Sequence, residues 1–212
     1  MLGPRFIELK QSRPELMLAT NNPGKIKEYS RLLATCGYQL VTPAEKDIEL
    51  TVPETGSTFE ENAVLKATAY ARVSGLLTLA DDSGLEVKAL DGAPGVLSAR
   101  YAGPAATDAD RNALLLRQLK NVPAQNRGAR FRCVIVIAVP GGAIKAITEG
   151  VLDGRIAAYA KGGNGFGYDP VFFIGELNRT LAELAPEEKN RLSHRARAAE
   201  DACRILGQMC HD

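Results

Sequence analysis

The chain has 212 residues, of which 45% are hydrophobic and 24% charged, as is typical of a globular protein with a single core. Its 26 basic and 25 acidic residues leave a net charge of +1, which gives no overall electrostatic footprint for nucleic acid. A small anionic ligand would need only a local basic pocket. The chain has just two histidines, and we expect His211, the penultimate residue, to be frayed, which excludes a multi-histidine metal site. Any metal would therefore have oxygen ligands, which favours Mg²⁺ or Mn²⁺ over zinc.

The cysteines and the apolar runs bear on the cellular compartment. The four cysteines are scattered without a CxxC pair, which predicts free thiols in a reducing cytosol rather than a disulfide framework. Residues 1–14 are charged and lack the apolar core of a signal peptide, so we expect a loose N-terminal extension before one domain at 15–212. No apolar run approaches the roughly 20 residues that a membrane helix needs. These features predict a soluble, cytoplasmic protein that binds neither membrane nor nucleic acid.

A buried strand predicted at residues 15–20 leads directly into the segment Thr20-Asn21-Asn22-Pro23-Gly24-Lys25. Asn22 is a favoured N-cap and Pro23 a favoured first residue, so a helix should begin here and end near Gly37. A strand that feeds a helix N-terminus, with a glycine and a lysine in the first turn, is an arrangement that binds phosphate. An ordinary capped helix with solvated lysines explains this segment equally well.

A second helix is predicted after Thr58 and should run to about residue 74. Thr58 and Glu61 have the spacing of a capping box, in which the hydroxyl and the carboxylate bind the first amides of the helix. Asn62 and Lys66 are four residues apart, so they share one face of this helix. Glu54 lies just upstream and has no capping role.

The apolar segment at residues 76–80 predicts a buried strand that ends in Asp81-Asp82-Ser83-Gly84. Ligands bind at such strand ends in α/β proteins because the crevice opens there. Adjacent carboxylates at the rim of a core need a cation, and Mg²⁺ would bind them together with water and phosphate. These residue types also favour a turn that closes a hairpin, and this segment alone favours the turn. A separate short strand is expected at residues 85–90.

The remaining pattern predicts a turn at 92–95, a helix at 108–121, a hairpin of long strands at 129–139 and 143–152, strands at 39–42 and 171–174, and a helix capped by Ser193. In the segment at 161–170, four glycines within six residues suggest backbone held close to a ligand, although a flexible loop is the alternative. Phe166 and Tyr168 offer faces on which a base could stack. The alternation of helices and strands indicates an α/β fold with a mixed sheet.

Seven short segments follow one another in an informative order. They are Thr20-Asn21-Asn22-Pro23-Gly24-Lys25, Glu54-Thr55-Gly56-Ser57-Thr58-Phe59-Glu60-Glu61-Asn62-Ala63, Ala80-Asp81-Asp82-Ser83-Gly84-Leu85, Gly92-Ala93-Pro94-Gly95, Ser98-Ala99-Arg100-Tyr101, Gly165-Phe166-Gly167-Tyr168-Asp169-Pro170 and Ser193-His194-Arg195. Together they resemble the non-canonical purine nucleoside triphosphate pyrophosphatases, the inosine triphosphatase family. Each segment is weak alone, but seven in order across about residues 16–207 are highly specific. The resemblance implies an α/β fold with a long twisted mixed sheet flanked by helices, and two lobes around a central active-site cleft.

The same resemblance implies a homodimer that hydrolyses ITP, dITP and XTP to the monophosphate and pyrophosphate, with Mg²⁺ as cofactor and Mn²⁺ as substitute. It implies that Asp82 is catalytic and orients and deprotonates the attacking water, with Asp81 as the rival, and that Glu54 and Asp82 hold the metal. Many relatives have an acidic residue where this chain has Pro53. The substrate-binding residues that it implies are Thr20, Asn21, Asn22, Pro23, Gly24, Lys25, Lys66, Ser83, Phe166, Gly167, Tyr168, Asp169, Lys189, His194 and Arg195.

Within that set, the resemblance gives Lys25 and Lys66 to the phosphates, and His194, Arg195 and the backbone at 166–169 to the base. Fixed donors would distinguish the oxo group of hypoxanthine or xanthine from the amino group of adenine. Two alternatives stay open. One is a Maf-like pyrophosphatase with another base preference, and Ser193-His194-Arg195 argues against it. The other is a catalytically inactive nucleotide-binding protein, and the presence of Asp81, Asp82, Lys25 and Lys66 argues against it.

Overall fold

The computed structural model describes residues 13–210. Its main elements are β1 (Glu15–Leu18), α1 (Pro23–Leu32), β2 (Gln39–Val41), α2 (Phe59–Ser74), β3 (Leu77–Val87), α3 (Asp108–Gln118), β4 (Gly128–Ala138), β5 (Ile144–Ile156), β6 (Phe172–Ile174), β7 (Arg179–Thr180), α4 (Pro186–Leu192) and α5 (His194–Met209). The strands form one sheet in the order β2-β1-β3-β4-β5-β6-β7. β1 pairs in parallel with β2 and β3, and the other neighbours are antiparallel. The predicted α/β fold with a mixed sheet is confirmed.

Local capping signals place the starts of α1, α2 and α5 where they were predicted. The Asn22 carboxamide oxygen accepts hydrogen bonds from the first-turn amides of α1, and the Thr58 hydroxyl accepts one from the Glu61 amide at 3.1 Å. The Ser193 hydroxyl caps α5 in the same way. The Glu61 carboxylate accepts instead from the amide and hydroxyl of Ser57, one residue earlier than a capping box predicts. Backbone amides left free at a helix start therefore fix these boundaries.

The central strand is longer than predicted. β3 runs unbroken from Leu77 to Val87 and pairs with β4 along nearly all of its length, so Asp81-Asp82-Ser83-Gly84 lies inside a strand. The predicted strand end at residue 80, the alternative hairpin turn and the separate strand at 85–90 are all wrong. The long antiparallel ladder overrides the turn preference of these residue types. Gly84 lets the segment at 95–98 pack closely against β3, because a Cβ at position 84 would collide with the Ser98 hydroxyl and the Gly95 carbonyl.

The two faces of the sheet are covered by different helices. α2 covers one face together with Met17 and Ala80, whereas α1 and α5 cover the other together with Leu16 and Leu79. Because side chains alternate along a strand, the same pleat sends Asp81 towards α1 and α5 and Asp82 towards α2. A further apolar cluster at the far ends of β3, β4 and β5 packs against α3.

A disulfide joins Cys36, which follows α1, to Cys203 of α5. The expectation of free thiols throughout is wrong, because the fold brings together two cysteines 167 residues apart in sequence, with Cα atoms 5.0 Å apart. Cys133 and Cys210 are free. The bridge ties together two helices whose N-terminal ends both contribute to the cleft.

Two helices end earlier than predicted: α1 at Leu32 rather than near Gly37, and α3 at Gln118 rather than at residue 121. The short helix α4 was not predicted, because its seven residues are mostly polar and show no apolar period. The predicted extension at 1–14 lies outside the described residues except for its last two. Across residues 13–210, none of the helices combines the length and apolarity that crossing a bilayer requires.

Candidate active site

A cavity of about 340 Å³ opens where β1 ends and β3 continues. β1 stops at Leu18, whereas β3 runs on to Val87, so the β3 edge beyond Leu79 faces the cleft rather than β1. A crevice at the carboxyl end of a parallel strand is where α/β proteins bind ligands. The lining contains all the sequence-predicted site residues except Pro23 and Gly24: Thr20, Asn21, Asn22, Lys25, Glu54, Lys66, Asp82, Ser83, Phe166, Gly167, Tyr168, Asp169, Lys189, His194 and Arg195.

Asp82 faces this cavity from the α2 side of β3. Its Oδ1 lies 2.8 Å from the Lys66 ammonium, and the Asn62 amide donates to its Oδ2 at 3.4 Å. Burial raises the pKa of the Asp82 carboxyl, and Lys66 and Lys25 offset only part of that effect. Asp82 is therefore a carboxylate that is oriented by two neighbours and is more basic than an exposed one.

Asp81 points to the opposite face and does not line the cavity. Its side chain is fully buried, and it forms an ion pair with Lys25 at 2.9 Å and another with the Arg195 Nε at 3.6 Å. The Ser83 hydroxyl donates to its Oδ2 at 3.1 Å. Burial alone would raise the pKa of Asp81, but Lys25, Arg195 and Lys66 outweigh burial and lower it. Asp81 thus anchors two cations beneath the site.

Glu54 reaches the same ammonium as Asp82. Its Oε1 is 3.0 Å from the Lys66 Nζ, and its Oε2 accepts from Arg100 at 3.0 Å. Burial raises the pKa of Glu54, but Lys66 and Arg100 outweigh this and lower it, so the carboxylate is ionised. Two carboxylates that converge on one cation are a donor set suited to Mg²⁺, which takes one or two carboxylates and completes its shell with water and phosphate. The part of the chain that is described holds no cluster of three or more such ligands.

The N-terminus of α1 forms a cationic part of the cavity lining. Pro23 is the first helical residue, as predicted, and the Asn22 amide is held by the Thr20 hydroxyl at 3.2 Å. Lys25 approaches from this helix and Lys66 from α2, on opposite faces of the sheet. A helix N-terminus with two lysines is suited to phosphate oxygens. Gly24 packs against Phe166, because a Cβ there would lie 2.6 Å from the Phe166 Cδ1.

Phe166 lines the cavity beside the first turn of α1, where it packs against Gly24. The Lys189 ammonium lies 4.9 Å from its ring centroid, and the Arg195 guanidinium carbon lies 5.4 Å from it. Asp169 is buried, which raises its pKa, and it accepts from Lys189 at 2.5 Å. Tyr168 is also buried, and its hydroxyl donates to the Ser98 carbonyl at 2.9 Å. Phe166 is thus the more accessible of the two aromatic rings proposed for stacking.

His194 and Arg195 are the first two residues of α5 and line the cavity. His194 stacks on Phe131 with ring centroids 4.6 Å apart, and its Nδ1 has no hydrogen-bond partner among residues 13–210. Burial, reinforced by Arg195 and Lys189, lowers the pKa of His194 well below its ordinary value, so the imidazole is neutral. Arg195 donates to Glu28 at 2.5 Å and to Ser83 at 2.8 Å, which commits much of its guanidinium to the protein itself.

Three features of the site were not predicted from the sequence: the buried Glu28, the contact of Arg100 with Glu54, and the hydrogen bonds from α3 to Gly167. Glu28 is buried and binds both Lys189, at 2.7 Å, and Arg195, at 2.5 Å. Burial raises its pKa, but Arg195 and Lys189 outweigh burial and lower it. The signal was a carboxylate beside Tyr29 on the apolar face of α1, where an unpaired charge would be costly.

The chain is similar to known proteins over most of its length. A model of the Ham1 family matches residues 16–205. A dITP/XTP pyrophosphatase of Desulforamulus reducens is 52% identical over 92% of this chain and 96% of the relative, and one of Geobacillus kaustophilus is 50% identical over 87% and 90%. The solved structure of a HAM1 protein from Coxiella burnetii has a TM-score of 0.83 and 43% identity, and the match covers 92% of this chain and 99% of that one. The chain belongs to the Ham1 family.

Proposed function

We propose that this protein hydrolyses the non-canonical purine nucleoside triphosphates ITP, dITP and XTP to the monophosphate and pyrophosphate, with Mg²⁺ as cofactor and Mn²⁺ as substitute. One observation carries the proposal: two lysines and two carboxylates, Lys25, Lys66, Glu54 and Asp82, line the same cleft as a histidine and an accessible aromatic ring. The names of the relatives support the choice of substrates.

Different parts of the cavity lining suit different parts of such a substrate. The α1 N-terminus, Lys25 and Lys66 would bind the triphosphate, since they supply amide and ammonium donors. The lining formed by the loop at 166–169 and the start of α5 would bind the base, with Phe166 for stacking. The unpaired Nδ1 of the neutral His194 supports this assignment, because a buried polar atom without a partner is costly unless a ligand satisfies it.

Asp82 is the best general base in the cleft. It lines the cavity, and Lys66 and Asn62 hold its two oxygens in fixed directions. It would orient the attacking water and take its proton. Asp81 is a poorer base because its ion pairs lower its pKa. Glu54 and Asp82 would hold Mg²⁺, which when bound neutralises charge on the phosphates.

Base selection would follow from fixed donors near the 6-position of the purine. Hypoxanthine and xanthine present an oxo acceptor there, whereas adenine presents an amino donor, so adenine would leave donors on both sides unpaired. We assign this recognition to His194, Arg195 and the backbone at 166–169. That Arg195 reads the base stays a prediction, since its contacts with Glu28 and Ser83 already use several of its donors.

We also infer a homodimer, from the resemblance of the seven sequence segments to the family, and a cytoplasmic location, from the composition of the sequence. Light scattering after size-exclusion chromatography tests the dimer. The Cys36–Cys203 disulfide would be uncommon in a reducing cytosol. Thiol labelling of protein quenched directly in cells tests whether the bridge forms there.

The deciding assay measures pyrophosphate release from ITP, dITP, XTP, ATP and GTP, with Mg²⁺, with Mn²⁺ and with excess EDTA. We expect inosine and xanthosine triphosphates to be preferred and EDTA to abolish turnover. Glu54→Gln should strongly reduce Mg²⁺-dependent turnover, because it removes a charged oxygen ligand. Glu60→Gln is the matched control, since Glu60 is exposed in the first turn of α2.

Each alternative predicts a distinct result in this assay. A preference for another base would indicate the Maf-like interpretation, and binding of ITP without pyrophosphate release would indicate an inactive nucleotide-binding protein. Full turnover in EDTA would refute the metal assignment to Glu54 and Asp82. Release of inorganic phosphate with a diphosphate product would show that a different bond is cleaved.

A further inference from the structure

Residues 165–169, which we call the base loop, are held by α3, whose Asp108 also lines the cavity. The Gly167 amide donates to the Asp108 Oδ2 at 2.7 Å, and the Gly167 carbonyl accepts from the Asn112 amide at 3.0 Å. Asp108 and Asn112 are four residues apart, so they lie on one face of the helix. Both polar groups of a single loop residue are therefore bound by one helix, which fixes the position of that residue and the orientation of its peptide groups.

The base loop needs such anchors because its own conformation is weakly determined. Gly165 and Gly167 have φ angles of 76° and 63°, in the left-handed region that glycine adopts freely, and they flank Phe166. The direction of the Phe166 ring therefore depends on tertiary contacts. On the other side of the loop, the Asp169 Oδ2 accepts from the Phe166 amide at 2.8 Å, so the ring lies between two held points.

If packing were its only role, Asn112 would destabilise the fold at this position. Its side chain is buried and its Oδ1 has no hydrogen-bond partner within the described part of the chain. A buried acceptor without a partner destabilises the fold, and an apolar residue of similar size would avoid that cost. The hydrogen bond from the Asn112 carboxamide to the Gly167 carbonyl offsets this cost. Asp108 is itself held by an ion pair with Arg111, which also donates to the carbonyls of Ala99 and Ala106.

We propose that Asp108 and Asn112 are positioning residues for base selection, acting through Gly167 on the backbone and the aromatic ring that meet the base. This rests on the proposed function, which assigns the loop to the base. A loop that is free to move by about 1 Å would still let the triphosphate bind but would no longer align the donors that distinguish an oxo from an amino group.

The test compares Asn112→Ala, Asp108→Ala and Asp108→Asn with the wild type. Asp110→Ala is the matched control: Asp110 is exposed in the same helical turn and binds Thr107 at the cap, so its loss weakens the helix start and leaves Gly167 held. Two quantities are measured: hydrogen exchange of the peptide that covers the base loop, and kcat and KM for ITP and ATP. The exchange measurement does not depend on activity.

We expect the two alanine variants to exchange faster in the base loop and to raise KM for ITP. Their ratio of kcat/KM for ITP over ATP should fall by about three- to tenfold for Asn112→Ala, the effect of one neutral hydrogen bond, and by more for the charged Asp108. Asp108→Asn keeps an oxygen acceptor and should retain most of the selectivity. Asp110→Ala should lower Tm and leave the ratio unchanged.

Two results would overturn the positioning role: loop exchange that stays at the wild-type rate in both alanine variants, or faster exchange with an unchanged ITP to ATP ratio. If Asp108→Ala fails to fold, Asn112→Ala and Asp108→Asn still decide. A wild type that releases no pyrophosphate from ITP or XTP would overturn the proposed function, and the role in base selection with it. An active, selective wild type whose variants remain equally selective would overturn the positioning role alone.

Discussion

Replacing Asp82 with asparagine should remove most activity without weakening the fold. Asparagine is nearly isosteric, and its carbonyl oxygen still accepts from the Lys66 ammonium, which lies 2.8 Å from Oδ1 in the wild type. It is neither a base nor a strong ligand for a divalent cation. Loss of a general base costs about 10²–10⁴-fold in rate, and loss of a metal ligand adds to that. We expect kcat/KM for ITP to fall about 10⁴-fold, or about 5 kcal/mol in the activation barrier.

The stability of the Asp82→Asn variant follows from the sign of the pKa shift. Burial raises the pKa of Asp82 in the fold, despite the nearby Lys66. A raised carboxyl pKa gives stability that is present below the ordinary pKa and is lost as pH rises through the folded pKa. At neutral pH the ionised side chain contributes nothing favourable to stability. Removing its charge should therefore leave Tm unchanged or slightly higher.

Asp81→Asn is the informative comparison, because we expect this variant to lose stability, whereas Asp82→Asn should lose activity. Its pKa is lowered, so its ionised form stabilises the fold above the ordinary pKa, and that stability is lost as pH falls. Asparagine at this position would leave Lys25 and Arg195 without their buried partner, at a cost of about 3–5 kcal/mol. For a chain of this size, that corresponds to a fall in Tm of roughly 6–20 °C.

Pyrophosphate release and thermal unfolding at neutral pH, measured on the same preparations, test both statements. The reasoning is refuted if Asp82→Asn turns over ITP at nearly the wild-type rate while Asp81→Asn is inactive but fully stable. That result would exchange the roles of the two carboxylates. A large fall in Tm for Asp82→Asn would instead show that its contact with Lys66 outweighs the cost of burying its charge.

Three further predictions concern the charges and the disulfide around the cleft. Arg195→Ala should narrow the preference for ITP over ATP by about one to two powers of ten, which is the contribution of a charged hydrogen bond. Lys25→Ala should lower kcat/KM for ITP and ATP about equally. If Arg195→Ala also lowers kcat/KM for both substrates equally, other residues recognise the base. Burial raises the pKa of Glu28, but Arg195 and Lys189 outweigh burial and lower it, so Glu28→Gln should lower Tm at neutral pH. The difference in Tm between variant and wild type should shrink as pH falls below 4.5, and a difference that does not depend on pH would contradict this reasoning. Cys36→Ser should destabilise the oxidised protein by about 2–5 kcal/mol, and a reductant should lower Tm of the wild type but not of the variant, unless the bond with Cys203 is absent in solution.

The features that the sequence by itself determined are those with local causes. Asn22, Thr58 and Ser193 supply side-chain acceptors for amides a few residues away, so the starts of α1, α2 and α5 could be predicted from short segments. The order of seven family segments also indicated which residues would share a site, and all but Pro23 and Gly24 line one cavity. That grouping came from the resemblance, since no local rule joins segments so far apart.

Only the tertiary structure decided what the two adjacent carboxylates do. β3 continues through Asp81 and Asp82 because it pairs with β4, and that partner lies about fifty residues further along the chain. Once the segment is a strand, the pleat sends the two side chains to opposite faces, where different helices supply their partners and move their pKa values in opposite directions. The Cys36–Cys203 bridge and the grip of α3 on Gly167 have the same origin. Each depends on which distant segments pack together, and long-range packing leaves no signal in the spacing of neighbouring residues.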